Sequence, residues 1–283
     1  CTLNNLGIVL HAQGTRTEGA AGTQLLAESV DAYRAALTAR TKETRPQQRA
    51  ATQLDLGAVL IDLGHRAAGT DSLRLLQAAV AAYRDALTVY TQAAFPQEWA
   101  SAQTNLGAAL SDQGIRIDGK ASMRLLAQAA EAFDAALTVY TKKELPQQWA
   151  MTSGNLTEAL FLSGQFVKTK EQLAMLLGHD GLRLSETGAL WFISIANSIG
   201  LGDRKQTLDD FEIISRVLNE QSPDFALTWD FSSIKISLSK HHVFAKHRQW
   251  LLHLVETFQS GRRNEMLAAV QNGSEAFRKT AKP

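Results

Sequence analysis

The chain has 283 residues with 29 basic and 28 acidic side chains, a balance that leaves no chain-wide field to hold nucleic acid, an anionic membrane or an acidic substrate. Alanine, leucine and glutamine are abundant while proline is down to 5 residues and aromatics to 7%, which points to an all-α protein. The single cysteine excludes an internal disulfide and fits a reducing compartment, so a cytoplasmic location is expected.

The first element begins inside a pattern. Asn4-Asn-Leu-Gly-Ile-Val-Leu is repeated as Leu54-Asp-Leu-Gly-Ala-Val-Leu, Thr104-Asn-Leu-Gly-Ala-Ala-Leu and, more loosely, Gly154-Asn-Leu-Thr-Glu-Ala-Leu. Pro46, Pro96 and Pro146 keep the same interval, as do Gly7, Gly57 and Gly107. Cys1 aligns with Ala51, Ser101 and Met151, inside the first helix of each copy. The sequence is therefore expected to be a fragment of a longer protein. A fixed period of about 50 residues predicts a solenoid, whose repeats bury their apolar faces against their neighbours.

Within each copy the pattern predicts a helix, a long loop and a second helix. Pro96-Gln-Glu-Trp-Ala opens the first helix, with proline in the first turn where its missing N–H costs nothing. Leu106 and Leu110 supply the apolar stripe, and Gly107 between them is expected to let the second helix approach closely. Gly114 is expected to end the helix in the left-handed conformation. The loops Gly14-Thr-Arg-Thr-Glu-Gly, Gly64-His-Arg-Ala-Ala-Gly and Gly114-Ile-Arg-Ile-Asp-Gly follow. Ser72 and Ser122, with Gly22 at the matching place, are the expected N-caps of the second helix. That helix carries Leu26, Val30, Tyr33 and Leu37, then Leu76, Val80, Tyr83 and Leu87, then Leu126, Ala130, Phe133 and Leu137, one apolar face each time. Trp99 and Trp149 are expected to seal the junctions between copies as core residues.

Leu-Gly-x-x-Leu followed by Ala-x-x-x-Tyr/Phe-x-x-Ala-Leu resembles the tetratricopeptide repeat over roughly the first 165 residues. It departs from the common unit in a loop about ten residues longer and in a displaced terminal proline, and so resembles a long-loop variant. The resemblance implies a right-handed superhelix whose first helices line a concave groove. Residues 1–146 would hold three such repeats. Residues 147–178 would form a degenerate fourth, where Thr157 replaces the packing glycine and Gly164-Gln-Phe runs straight into Val167–Leu177. Residues 179–283 would be a helical C-terminal region that caps or continues the stack. Its expected helices are Ser185–Ile199, Lys205–Asn219, Phe225–Leu238, Val243–Gln259 and Arg262–Lys279. The apolar stretch beginning at Leu190 is too short and too polar to span a bilayer.

By the same resemblance the residue before Leu-Gly points into the groove, where an amide can pair with the backbone of an extended ligand. Asn5, Asp55, Asn105 and Asn155 hold that place. Asn4, Thr104, Ile8, Ala58, Ala108, Glu158, His11, Asp62 and Asp112 would be their neighbours. The alternative is that these amides cap or bridge adjacent helices. Arg16, Arg66 and Arg116 are expected to tie their loops to helix-end carbonyls or to acidic residues of the next copy, with an anion-binding ladder as the alternative. Lys240-His-His-Val-Phe-Ala-Lys-His-Arg reads as a solvated helix face, since the spacing of His242 and His247 suits no metal site. His65, His179 and His253 stand isolated. There is no Gly-rich phosphate loop, nucleophile elbow or paired-carboxylate arrangement, so catalysis, cofactors and metals are not expected. The expected function is a protein-interaction scaffold holding a peptide or helix of a partner protein in the groove, with no nucleic acid or membrane partner. A regulatory arm of a larger signalling or effector protein, contacting its own catalytic domain, is the alternative.

Overall fold

Pro46 and Pro96 each stand in the first turn of a 21-residue helix, where proline's fixed φ suits the helix and its missing N–H breaks no bond. The structure is a computed structural model that describes residues 2–177, 184–220, 234–235, 238–239, 241–260 and 263–280. Among these residues the chain is all-helical and contains no strand. It forms two compact units, Cys1–Asn155 and Leu156–Pro283.

The first unit contains α1 (Thr2–Arg16), α2 (Gly19–Ala39), α3 (Pro46–Arg66), α4 (Gly69–Leu87), α5 (Pro96–Arg116), α6 (Gly119–Leu137) and the start of α7 (Pro146–Leu162). Neighbouring helices pack in sequence order: α1 on α2, α2 on α3, α3 on α4, α4 on α5 and α5 on α6. The arrangement is consistent with a helical repeat. Gly7, Gly57 and Gly107 act as expected. A Cβ at these positions would lie 2.7, 2.5 and 2.7 Å from the rings of Tyr33, Tyr83 and Phe133 on the following helix. Those rings are fully buried, as are Leu26 and Leu76.

The expected long loops are not loops. Only Thr17 and Glu18 separate α1 from α2, and only Ala67 and Ala68 separate α3 from α4. The extra residues lengthen the helices instead. Gly14, Gly64 and Gly114, expected to stop the first helix, stay inside it because they seat a leucine: a Cβ would approach the side chains of Leu26, Leu76 and Leu126 to 2.8, 3.0 and 2.7 Å. The left-handed residues are Gly19, Gly69 and Gly119, with φ of 66°, 56° and 72°, a region that only glycine enters without strain.

Ser72 and Ser122 do not cap the second helix either; they lie within α4 and α6. Their hydroxyls donate to the carbonyls of Gly64 and Gly114 at 2.6 Å, satisfying acceptors that the last turn of the preceding helix leaves open. In the first copy Gly22 has no hydroxyl, and Arg66 of the next copy donates to the Gly14 carbonyl at 2.8 Å.

Between copies, Ala50, Ala86 and Tyr90 form one buried cluster and Ala100, Ala136 and Tyr140 another; Trp99 packs against both, as its junction role requires. Trp149 has the same burial as Trp99. It is half-buried, with the Lys142 ammonium 5.3 Å from its ring centroid.

The second unit contains the rest of α7, α8 (Phe166–Leu177), α9 (Leu184–Gly200), α10 (Arg204–Asn219), a 3₁₀ turn (His242–Phe244), α11 (Arg248–Ser260) and α12 (Arg263–Thr280). Here α8 packs on α9, α9 on α10, α10 on α12 and α11 on α12. Thr157 is fully buried where the packing glycine stood, and Gly164 turns the chain at φ 75°. Asp203 caps α10 by accepting from the Gln206 N–H at 3.1 Å.

Most of the expected helix Phe225–Leu238 lies outside the described residues, as do His179 and Lys240. The helix expected from Val243 starts at Arg248 instead; the turn before it anchors through Phe244, while His242, Val243, Ala245 and Lys246 stay exposed as expected of a solvated face. Phe244 is fully buried against Phe161 and Phe166. His241 bonds the Leu162 carbonyl at 3.0 Å, and the Trp250 indole N–H donates to His247 Nδ1 at 3.3 Å. No helix among the described residues is long and apolar enough to cross a membrane.

The glycines separate into two kinds that mutation distinguishes. Gly107→Leu is expected to overpack against Phe133 and destabilise by roughly 1–3 kcal/mol. At Gly154 of α7 an added Cβ meets nothing within 4 Å, so Gly154→Ala is expected to stabilise by up to about 1 kcal/mol through helix propensity. Urea unfolding of both variants checks the pair.

Candidate functional site

The residues preceding Leu-Gly occupy successive first helices. Asn5 is exposed on α1, whereas Asp55 on α3, Asn105 on α5 and Asn155 on α7 are half-buried. Burial, opposed by the charges of His11 and Arg40, holds the Asp55 carboxyl above the usual carboxylate range. Ile8 is exposed, while Ala58, Ala108 and Glu158 are half-buried.

Asn4 and Thr104 do not join this row at the surface, because both are buried. The Asn4 side-chain oxygen accepts from Arg40 at 2.7 Å and from Thr52 at 2.9 Å, and Arg40 also bonds Thr52 and the Gln48 carbonyl. Asn4 thus bridges α1, the end of α2 and α3, the alternative role weighed for these amides. The Thr104 hydroxyl donates to the Ala100 carbonyl one turn back at 3.0 Å, a local bond common for threonine within helices.

His11, Asp62 and Asp112 brace one first helix to the next. His11 Nε2 lies 2.6 Å from Asp62, and His65 Nε2 lies 2.8 Å from Asp112. His65 is therefore not isolated. Arg116 adds bonds to the Asp112 carboxylate at 3.0 Å and its carbonyl at 2.8 Å. Arg66 and Arg116 both reach helix-end carbonyls, the structural role expected of these arginines.

Burial alone would raise the Asp112 carboxyl, but the hydrogen bonds and charges of His65 and Arg116 outweigh it and hold the group below the carboxylate range. The hydrogen bond to Asp112 raises His65 in turn.

A second hub escaped the sequence reading. The Asp85 carboxylate receives Lys42 at 2.7 Å, Arg49 at 3.0 and 3.2 Å, and Gln53 at 2.8 Å. Its signal lay in the alignment of copies. Arg49 stands where Trp99 and Trp149 stand, and Asp85 where Ala35 and Ala135 stand. One copy carries an ion pair at positions that are apolar in its neighbours.

Among the described residues no group of three or more His, Cys, Asp or Glu side chains is placed to hold a metal ion. No protein-family model matches the chain, and no curated protein matches it.

The brace predicts a pH signature. His65 is raised in the folded state, so its contribution is fully present below its unfolded pKa of about 6.5 and is lost as pH rises through the folded value. The stability lost in His65→Ala is expected to be about 0.5 kcal/mol near pH 6. It should shrink toward zero in alkaline solution, as measured by urea unfolding across pH.

Proposed function

We propose that the chain is a protein-interaction scaffold of the tetratricopeptide type, a right-handed superhelix of helix pairs. Its first helices hold a peptide segment or a helix of a partner protein in a concave groove. The observation that supports this reading most is the row Asn5, Asp55, Asn105 and Asn155, one polar residue at the same place on each successive first helix. None of the three asparagine side chains forms a hydrogen bond among the described residues, so their amides remain available to the N–H and C=O groups of an extended ligand. The bracing of Asn4, Asp62 and Asp112 fits the same reading, because a surface that binds through spaced amides needs its helices held at a fixed pitch. The added residues of each copy lengthen its helices rather than the loop between them.

Selection of a displayed library of random peptides on the intact chain tests the proposal. Binders are expected, and the combined Asn5→Ala, Asn105→Ala and Asn155→Ala variant is expected to weaken them tenfold or more, at about 1 kcal/mol per lost hydrogen bond. Its melting temperature should be unchanged. Undiminished binding by the variant removes the row from the interface, and a library that yields no binder counts against the scaffold.

A further inference from the structure

The second unit has a half-open cavity of about 300 Å³ between α8, α9 and α10, near the lower end of the range for small-molecule sites. Its walls are mainly apolar, with Leu173 and Ala174 from α8, Trp191 from α9 and Ile213 from α10. Ser194, Asn197 and Ser198 of α9 and Gln206 and Asp210 of α10 line it as well. The helical spacing of Trp191, Ser194 and Ser198, and of Gln206, Asp210 and Ile213, puts each set on one face of its helix.

Asp210 is buried. One carboxylate oxygen accepts from Ser194 at 2.8 Å and Ser198 at 3.4 Å, and the other accepts from Gln206 at 2.8 Å. Each of these donors is neutral, and a carboxylate offers about four acceptor positions, so capacity and charge both remain. The ammonium of Lys170, also on the wall, is 2.8 Å from Asp203. Asn197 is equally buried; its amide nitrogen donates to the Phe166 carbonyl at 3.0 Å. That bond fixes the orientation of the amide and leaves its oxygen sealed from solvent and without a hydrogen-bond partner among the described residues, beside the cavity rather than open to it. A buried acceptor left unmade is costly. Burial, opposed by the Gln206 and serine hydrogen bonds and reinforced by the charge of Asp209, pushes the Asp210 carboxyl up, the direction that an incoming cation would reverse.

We propose that this cavity is a binding site for a small organic cation. A primary ammonium head would donate to the Asp210 carboxylate, and a short apolar body would rest on Leu173, Ile213 and the Trp191 ring. The donor set selects the class. A carboxylate among apolar walls suits an N–H-bearing cation with an apolar body, and aromatic rings attract cations at their faces. A bare metal ion would need more oxygen ligands than one carboxylate supplies. The proposal does not depend on the scaffold reading, which concerns the first unit.

Isothermal titration calorimetry of the intact chain with 2-phenylethylammonium tests it, with 2-phenylethanol as the neutral control. Saturable one-to-one binding of the ammonium is expected, with the alcohol and the Asp210→Asn variant each weaker by roughly tenfold or more, as loss of a charged hydrogen bond implies. If Asp210→Asn does not fold, Ala174→Leu decides, since it narrows the chamber from an exposed helical position without touching the carboxylate. Loss of ammonium binding there, at unchanged melting temperature, supports the site, and unchanged binding overturns it. Equal binding of ammonium and alcohol, or no binding of the ammonium by the native chain, overturns the proposal outright.

Discussion

The first unit rests on the contact between a glycine inside one helix and an aromatic ring of the next. Gly7 against Tyr33, Gly57 against Tyr83 and Gly107 against Phe133 leave no room for a single methyl group. This contact sets the separation of the paired helices, and the other contacts of the pair follow from it. Once the helices are that close, a second glycine two turns along must admit a leucine, and the serine hydroxyl of the second helix comes within reach of the carbonyl at the end of the first. Where the pattern changes, in α7, threonine fills the glycine's place and is itself fully buried.

Helix existence, the proline-marked starts and the role of that first glycine were legible from the sequence because each depends on residues a few positions apart. The role of the second glycine was not. Gly64 and Gly69 look alike to any local rule, yet one admits a leucine inside a helix and the other bends the chain at φ 56°. Only the packing partner distinguishes them. The long-loop reading failed at this point, and the misplaced serine caps failed with it. Asn4 was misread as groove-lining for a related reason, since nothing near it in sequence announces that Arg40 and Thr52 converge on its side chain.

Polar side chains in this protein divide by what answers them. Asn4 and Asp85 are answered by side chains from other helices and act as cross-links, each joining elements that otherwise touch through apolar surface. His65 and Asp112 do the same nearer the solvent. Asn197 has one amide atom engaged and one left over, sealed from solvent beside a cavity. The sequence around it reads as an ordinary apolar helix, because serine and asparagine every third or fourth position barely disturb the hydrophobic pattern. Copies aligned on one another reveal the exchanges of Arg49 and Asp85, but the second unit has no copy against which Asn197 or Asp210 would stand out.

The two-residue turns bear on how the first unit comes to be folded. From α1 to α6 each helix packs on the helix that follows it in the chain, so the first contacts to form close short loops at little entropic cost. Topologies of this kind fold quickly, because no distant segment must be found before a contact is rewarded. A helical hairpin made by Gly57 and Tyr83 resembles those made by Gly7 and Tyr33 or by Gly107 and Phe133, and any of the three is equipped to form the nucleus. Damage to one hairpin then leaves the others able to start the process, and folding can spread from them in either direction along the chain.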